Sequence, residues 1–260
     1  MNGLVVYDGP SQWDGAPIVT IVTGIGRSSS NPKTGDMLQS WILLRDVHPY
    51  EGVVSGLDES ICGHCRHRRN AQGHRSCYVS MNAPGAIWKA FHAGKYEAVD
   101  PEEAGEWIGG LRPARRRKLR IGAYGDPAMV PPDVWRSLVR HCTLTTGYTH
   151  QWRTMPTVYR EFCMASVDTP KEAADAAALG YRTFRCTSSG DDLLKDEIVC
   201  PASEEAGKLT TCEDCGLCAG SMEGRSNRIP MVAITVHGRG AKYFGDQSPV
   251  DRKESLVNAD

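Results

Sequence analysis

CMASVDTPKEAADAAALGYRTFRC, residues 163–186, contains a complete structural unit. Residues 163–167 (CMASV) form a short apolar run of strand length. Asp168-Thr169-Pro170 then opens a helix over 170–179, with proline just inside its start, and Gly180 closes it. Residues 181–186 (YRTFRC) return to a strand pattern. A strand, a helix of about ten residues and a second strand in immediate succession predict a parallel βαβ unit.

The same alternation extends in both directions. Strands are expected at 118–124 (KLRIGAY), 143–148 (TLTTGY), 196–200 (DEIVC) and 230–236 (PMVAITV), and upstream at 17–23 and 38–44. Helices are expected at 84–94, 101–108 and 132–142, the last with Val134, Leu138 and Val139 on one face, and near 154–162. Seven or eight strands of this kind predict an α/β chain folded as a (β/α) TIM-like barrel, regular or irregular, in preference to an open doubly wound sheet. The expected organisation is one barrel domain over 1–245 and a polar tail over 246–260. Metal-binding loops are expected at 58–80 and 198–222.

Apolar residues make up 40% of the 260 and charged residues 23%, a globular balance that excludes a disordered chain. No apolar run approaches the ~18–20 residues of a membrane span, so no membrane partner is expected. The N-terminus lacks a basic start followed by an apolar stretch, so no signal peptide is expected and the expected location is cytoplasmic. Net charge is −1, but cations are clustered. Arg66, Arg68, Arg69 and Arg75 thread one cysteine-rich segment, and Arg112, Arg115, Arg116, Arg117, Lys118 and Arg120 form a second run. Such patches are either solvated faces or contacts to a polyanion.

Seven of the ten cysteines fall in two groups, the pattern of metal binding in a reducing compartment. The later group is Cys200-x11-Cys212-x2-Cys215-x2-Cys218. Four thiolates suit tetrahedral zinc or an iron–sulfur cluster. Cys200-Pro201 with C-x2-C-x2-C echoes ferredoxin spacing; structural Zn2+ is the expectation and a 4Fe-4S cluster the alternative. The earlier group, CGHCRHRRNAQGHRSC (62–77), offers Cys62, Cys65, His74 and Cys77 as a Cys3His zinc site, or three thiols with an open position. A metal-pinned loop here would present its arginines, Arg68 and Arg69 among them, to a nucleic-acid backbone.

In a parallel barrel the chemistry lies at the C-terminal strand ends. The residues just past the predicted strands are Asp126, Thr149 to Arg153, Asp168, Thr187 to Ser189, and His237. Asp168 or Thr169 is a candidate helix cap. Asp126 is a candidate turn residue, but no helix is expected before about 132, so capping does not account for it. Asp126 is the foremost catalytic candidate and Asp168 the second, with His150, Arg153 and His237 as substrate-binding candidates. Two carboxylates across a pocket can run glycosidic chemistry.

The segments RIGAYGDP (120–127), ASVDTPKEA (165–173), GYRTFRC (180–186) and CP…CEDCGLC (200–218) resemble bacteriophage proteins of the gene-88 type over most of the chain. A basic barrel with strand-end aspartates and a late cysteine cluster also resembles, distantly, the tRNA-guanine transglycosylase superfamily, which includes phage enzymes that insert 7-deazaguanines into DNA. That resemblance implies a covalent aspartate–ribose intermediate, an acid/base aspartate at Asp126 and a structural zinc at Cys212, Cys215 and Cys218; it supplies no match for the nucleophile, for which strand position alone offers Asp168, with Asp191 behind it. Gly-Asp-Pro stands where that family has Asp-Ser-Gly-Gly, and the first cysteine group has no counterpart there. The implied function is insertion of a deazapurine base into DNA, in a host cell if the chain is phage-encoded. The alternatives are an iron–sulfur enzyme acting on a nucleotide or modified base, and a zinc-stabilised nucleic-acid-binding protein.

Overall fold

The computed structural model describes residues 2–27, 29, 31–113, 117–188, 193–221 and 229–245. Arg115, Arg116, Ser189, Asp191 and the 246–260 tail lie outside the described residues.

Among the described residues ten strands form one sheet: β1 (Gly3–Pro10), β2 (Pro17–Thr23), β3 (Leu38–Leu44), β4 (Glu97–Ala98), β5 (Lys118–Tyr124), β6 (Leu144–Thr149), β7 (Met164–Val167), β8 (Thr183–Thr187), β9 (Glu197–Val199) and β10 (Met231–Thr235). Their order is β4-β1-β2-β3-β5-β6-β7-β8-β10-β9. β1–β2 and β2–β3 are antiparallel and every other neighbouring pair is parallel. The fold is thus mixed α/β, as expected. A closed barrel is not what the pairings describe. The order has two ends, β4 and β9, and among the described residues nothing pairs them, whereas closure removes both edges. β1 begins a meander with β2 and β3 that the sequence pattern does not announce, because its last residues, Tyr7 to Pro10, break the apolar alternation.

Helices α1 (Pro49–Ser55), α2 (Glu59–Cys62), α3 (Asn82–His92), α4 (Pro101–Gly110), α5 (Pro132–Val139), α6 (Pro170–Ala178) and α7 (Cys212–Cys215) fill the connections. The segment expected to be helical near 154–162 holds only a 3-10 turn, Thr157–Glu161. α6 obeys local rules closely: Thr169 Oγ1 accepts from Glu172 N at 3.1 Å, Glu172 Oε2 accepts from Asp168 N at 2.7 Å, and Gly180 exits at φ +80°. Thr169, not Asp168, is therefore the cap. α4 and α5 lie close together because Gly105 has no side chain; a Cβ there would stand 2.4 Å from Ser137 O.

The main core packs β1, β2, β3 and β5 against α4 and α5, with Trp135, Leu138, Ile108 and Ile21 fully buried. A second cluster forms around Trp152, Ala165 and Tyr181. A third combines Met164, Val232 and Ile234 with Cys200 and Cys218. Among the described residues no helix is long and apolar enough to cross a membrane.

Candidate active site

Side chains alternate across a strand, so every second residue faces the same way. On β5 these are Arg120, Gly122 and Tyr124, on β6 Thr146 and Tyr148, and on β8 Phe184 and Cys186; all line one cavity of about 190 Å³. Asp126 and His150 continue the β5 and β6 rows into the same space. The loop of the first cysteine group lines the same cavity.

Asp126 comes after Gly125, whose φ is +80° and whose notional Cβ would stand 2.6 Å from Ile42 Cβ. Only glycine suits that turn. Asp126 Oδ1 accepts from Ala128 N at 3.0 Å and from the Thr149 hydroxyl at 2.7 Å, while Oδ2 accepts from His150 N at 2.8 Å. The first bond caps a 3-10 turn, Pro127–Met129, so capping does account for part of Asp126, contrary to the sequence expectation. The turn was illegible because three residues carry no helical period. Burial pushes the Asp126 carboxyl above its ordinary range; His150, 3.9 Å from Oδ2, and the hydrogen bonds oppose that rise without cancelling it.

Asp168, released from capping, faces His67. Nε2 of His67 lies 3.2 Å from both carboxylate oxygens, and Nδ1 lies 2.8 Å from Ser76 Oγ. A carboxylate only accepts, so in the neutral imidazole Nε2 carries the proton and Nδ1 accepts from Ser76. Arg66 adds an ion pair at 3.5 Å. Burial alone would raise the Asp168 carboxyl, but the hydrogen bond and charge of His67, with His150 and Arg66, outweigh it and hold the group below its ordinary range. The rings of His67 and His150 meet edge-on at 5.4 Å, and Phe244 stacks on His67 at 5.6 Å. Asp126, His150, His67 and Asp168 thus form one chain of titratable groups across the strand ends.

The first thiol loop is fastened to those ends. Asp126 N donates to Ile61 O at 2.7 Å, and Gln151 Nε2 donates to Cys62 O at 2.9 Å. Cys62, Cys65 and Cys77 all line the cavity, and all ten cysteines are free thiols. Burial raises the Cys62 thiol, and the charges of Asp58, Cys65 and Cys77 raise it further, with Arg68 opposing. The ring of His74 stacks on Tyr243 at 4.1 Å. Cys186, isolated in the sequence, shares the cavity.

The second group is built on a short helix, α7, and the turn that closes it. α7 ends at Gly216 in the left-handed conformation, Cys212 N donates to Lys33 O at 2.9 Å, and Arg182 Nη1 donates to Leu217 O and Ala219 O, each at 2.8 Å. Burial pushes the Cys218 thiol up to about 12, beside Cys200, Cys212 and Cys215. Cys200 and Cys212 also reach the cavity wall. Among the described residues no three His, Cys, Asp or Glu side chains stand together at metal-ligating geometry. The donor chemistry nonetheless suits a soft cation: thiolate sulfur is a soft ligand, and a bound cation displaces the thiol proton. Cys62, Cys65 and Cys77 would hold one such centre, and Cys200, Cys212, Cys215 and Cys218 another.

Other candidates lie elsewhere. Arg153 is exposed, stacked 3.8 Å over Trp152 and paired with Glu172, outside the cavity wall. Arg68 is turned inward, bound to Asp58 at 2.8 Å and Glu59 at 3.3 Å, so it is not presented to a nucleic acid. Arg69 is exposed and donates to Val54 O. His237 is exposed at the cavity edge. Sequence reasoning missed Ser76, His67, Cys186 and Tyr124. Stepping by two along each strand, rather than reading only the residues past its end, is the signal that finds the last two.

No family model, curated protein or solved structure matches the chain.

Proposed function

We propose that this chain is an enzyme whose active site is the cavity beneath the first cysteine loop, and that the loop carries an iron–sulfur centre there. The observation that carries this reading is the sharing of one cavity by Cys62, Cys65 and Cys77 with Asp126 and His150. A metal that merely pins a loop is best served by a closed shell away from other chemistry. Here three thiols line the cavity that also holds Asp126 and His150. When bound, such a cluster supplies one-electron chemistry. The chain's own groups supply the rest: Tyr148, Phe184 and Phe244 exclude water and pack a flat substrate, and His67 and His150 move protons with Asp168 and Asp126 holding their orientation. The space suits a nucleobase-sized body, so a nucleotide or modified base is the substrate class.

Anaerobic purification with iron, sulfide and zinc analysis tests this. The expected result is a coloured protein whose iron and acid-labile sulfide fall in Cys65→Ser. A colourless protein holding zinc alone refutes it.

A second reading, deazaguanine exchange into DNA, is favoured by one observation. Asp126 is held above and Asp168 below the ordinary carboxylate range, the division of labour that separates an acid/base from an ionised nucleophile. The Asp168 carboxylate would bond to the deoxyribose anomeric carbon as the departing guanine takes a proton from Asp126. Asp126 would then take a proton from the incoming base as that base displaces Asp168. Wild-type rates of labelled-guanine exchange in both Asp126→Ala and Asp168→Ala exclude it.

A further inference from the structure

Three polar atoms on the cavity wall have no partner. Arg75 Nε, Arg120 Nε and Tyr124 Oη are shut off from solvent and make no hydrogen bond among the described residues. Their side chains are otherwise fixed. Arg75 Nη1 donates to Cys77 O at 3.2 Å and to Val79 O at 2.9 Å, and Arg120 Nη2 donates to the Tyr78 hydroxyl. Tyr124 is only 3% exposed. Buried donors without acceptors are costly, and buried guanidinium groups more so. All three belong to residues that line the one cavity, where a bound group can accept from them.

No acceptor for these atoms is found among the described residues. Neither arginine is ion-paired to a carboxylate among the described residues; the nearby Asp58 is taken by Arg68. The thiols do not serve either, since no sulfur accepts from these atoms out to 4.0 Å. Two guanidinium groups without carboxylate partners among the described residues, with a neutral donor, between the first thiol loop and β5 match an anionic group with several oxygens.

We infer that Arg75, Arg120 and Tyr124 form a subsite for the phosphate group of the substrate. This inference rests on the cavity being the active site, and it narrows the substrate from a base to a phosphate-bearing nucleotide. The phosphate belongs either to a free nucleotide or to a nucleic-acid backbone. The recognition chemistry is the same for both: charge-assisted donation from guanidinium nitrogens, with a phenol fixing one oxygen.

Calorimetric titration of the metal-loaded full chain with inorganic phosphate, deoxyguanosine 5′-monophosphate and a single-stranded oligodeoxynucleotide tests this. Saturable binding is expected, weakened about tenfold or more in Arg120→Gln and roughly threefold to tenfold in Tyr124→Phe. Tyr124→Phe preserves shape, so it keeps the test decisive if Arg120→Gln does not fold. Tighter binding of the mononucleotide than the oligonucleotide assigns the phosphate to a free nucleotide, and the reverse to a backbone. The inference is overturned if none of the three ligands binds, or if all bind both variants as they bind wild type. Iron and sulfide analysis of the same preparations separates the two ideas: lost clusters with intact phosphate binding sink the metal reading alone, and intact clusters without phosphate binding sink the subsite alone.

Discussion

Replacing Asp126 with alanine removes the acceptor for three donors at once. The Ala128 N–H and the Thr149 hydroxyl are fully buried, and the His150 N–H is partly so. Each buried donor left without a partner costs about 1–3 kcal/mol. Relaxation of the Thr149 hydroxyl, which also accepts from Gln151 N at 3.0 Å, softens the sum. A loss of about 4 kcal/mol is expected, equivalent for a chain of this size to a fall of roughly 8–16 °C in Tm. Asparagine behaves differently. Its oxygen, in the place of Oδ1, keeps the Ala128 and Thr149 bonds, and its amide nitrogen meets the His150 N–H donor to donor. Removal of a buried charge offsets part of that conflict, leaving a loss of about 1 kcal/mol, roughly 2–4 °C. Urea and thermal denaturation of the two variants against wild type measure the ranking. If Asp126→Ala melts within about 2 °C of wild type, or Asp126→Asn melts as low as Asp126→Ala, the three bonds do not carry the weight assigned to them. If Asp126 also moves a proton, Asp126→Asn loses activity while nearly keeping its stability.

Arg185 on β8 and Glu197 on β9, strands that β10 separates in the sheet, form a buried bidentate pair at 2.9 and 2.8 Å. Arg185→Met strands a buried carboxylate and is expected to cost about 3–5 kcal/mol in urea unfolding; pairing it with Glu197→Leu should recover most of that. Asp168 titrates below its ordinary value of 3.8, so folding favours its ionised form. Its stabilisation is therefore complete above that value and disappears as the pH falls below it. Acid-unfolding profiles should be shallower in Asp168→Asn, and an unchanged slope would contradict the His67–Asp168 contact. Gly125→Ala forces a Cβ onto Ile42 at φ +80°, with an expected loss of about 3 kcal/mol and displacement of Asp126; a wild-type denaturation midpoint would count against the turn. His74→Ala should leave metal content unchanged, since that ring is stacked on Tyr243; a stoichiometric loss of metal would restore His74 as a ligand.

Local chemistry made much of this molecule legible in its amino acids. Residues 163–186 give strand, cap, helix, glycine stop and strand within a few turns of one another, and such signals need no distant partner. The CEDCGLC turn, closed by Gly216, is local in the same way. So is the placing of Asp126, His150 and Asp168 at the strand ends. Relations between distant residues came only with tertiary packing. His67 meets Asp168 across 101 positions, and Gln151 holds Cys62 across 89. Neither spacing has a period that a one-dimensional pattern records. The inward turn of Arg68 depends on Asp58 and Glu59 lying where α2 begins, and the open strand order depends on which edges find partners. Cys186, Arg120 and Tyr124 read as ordinary strand residues until the sheet stacks their alternate side chains beneath the cysteine loop. The residues of each element were written in the chain, but the cavity they share exists only because long-range packing brings β5, β6, β8 and β10 to one place with the cysteine loops.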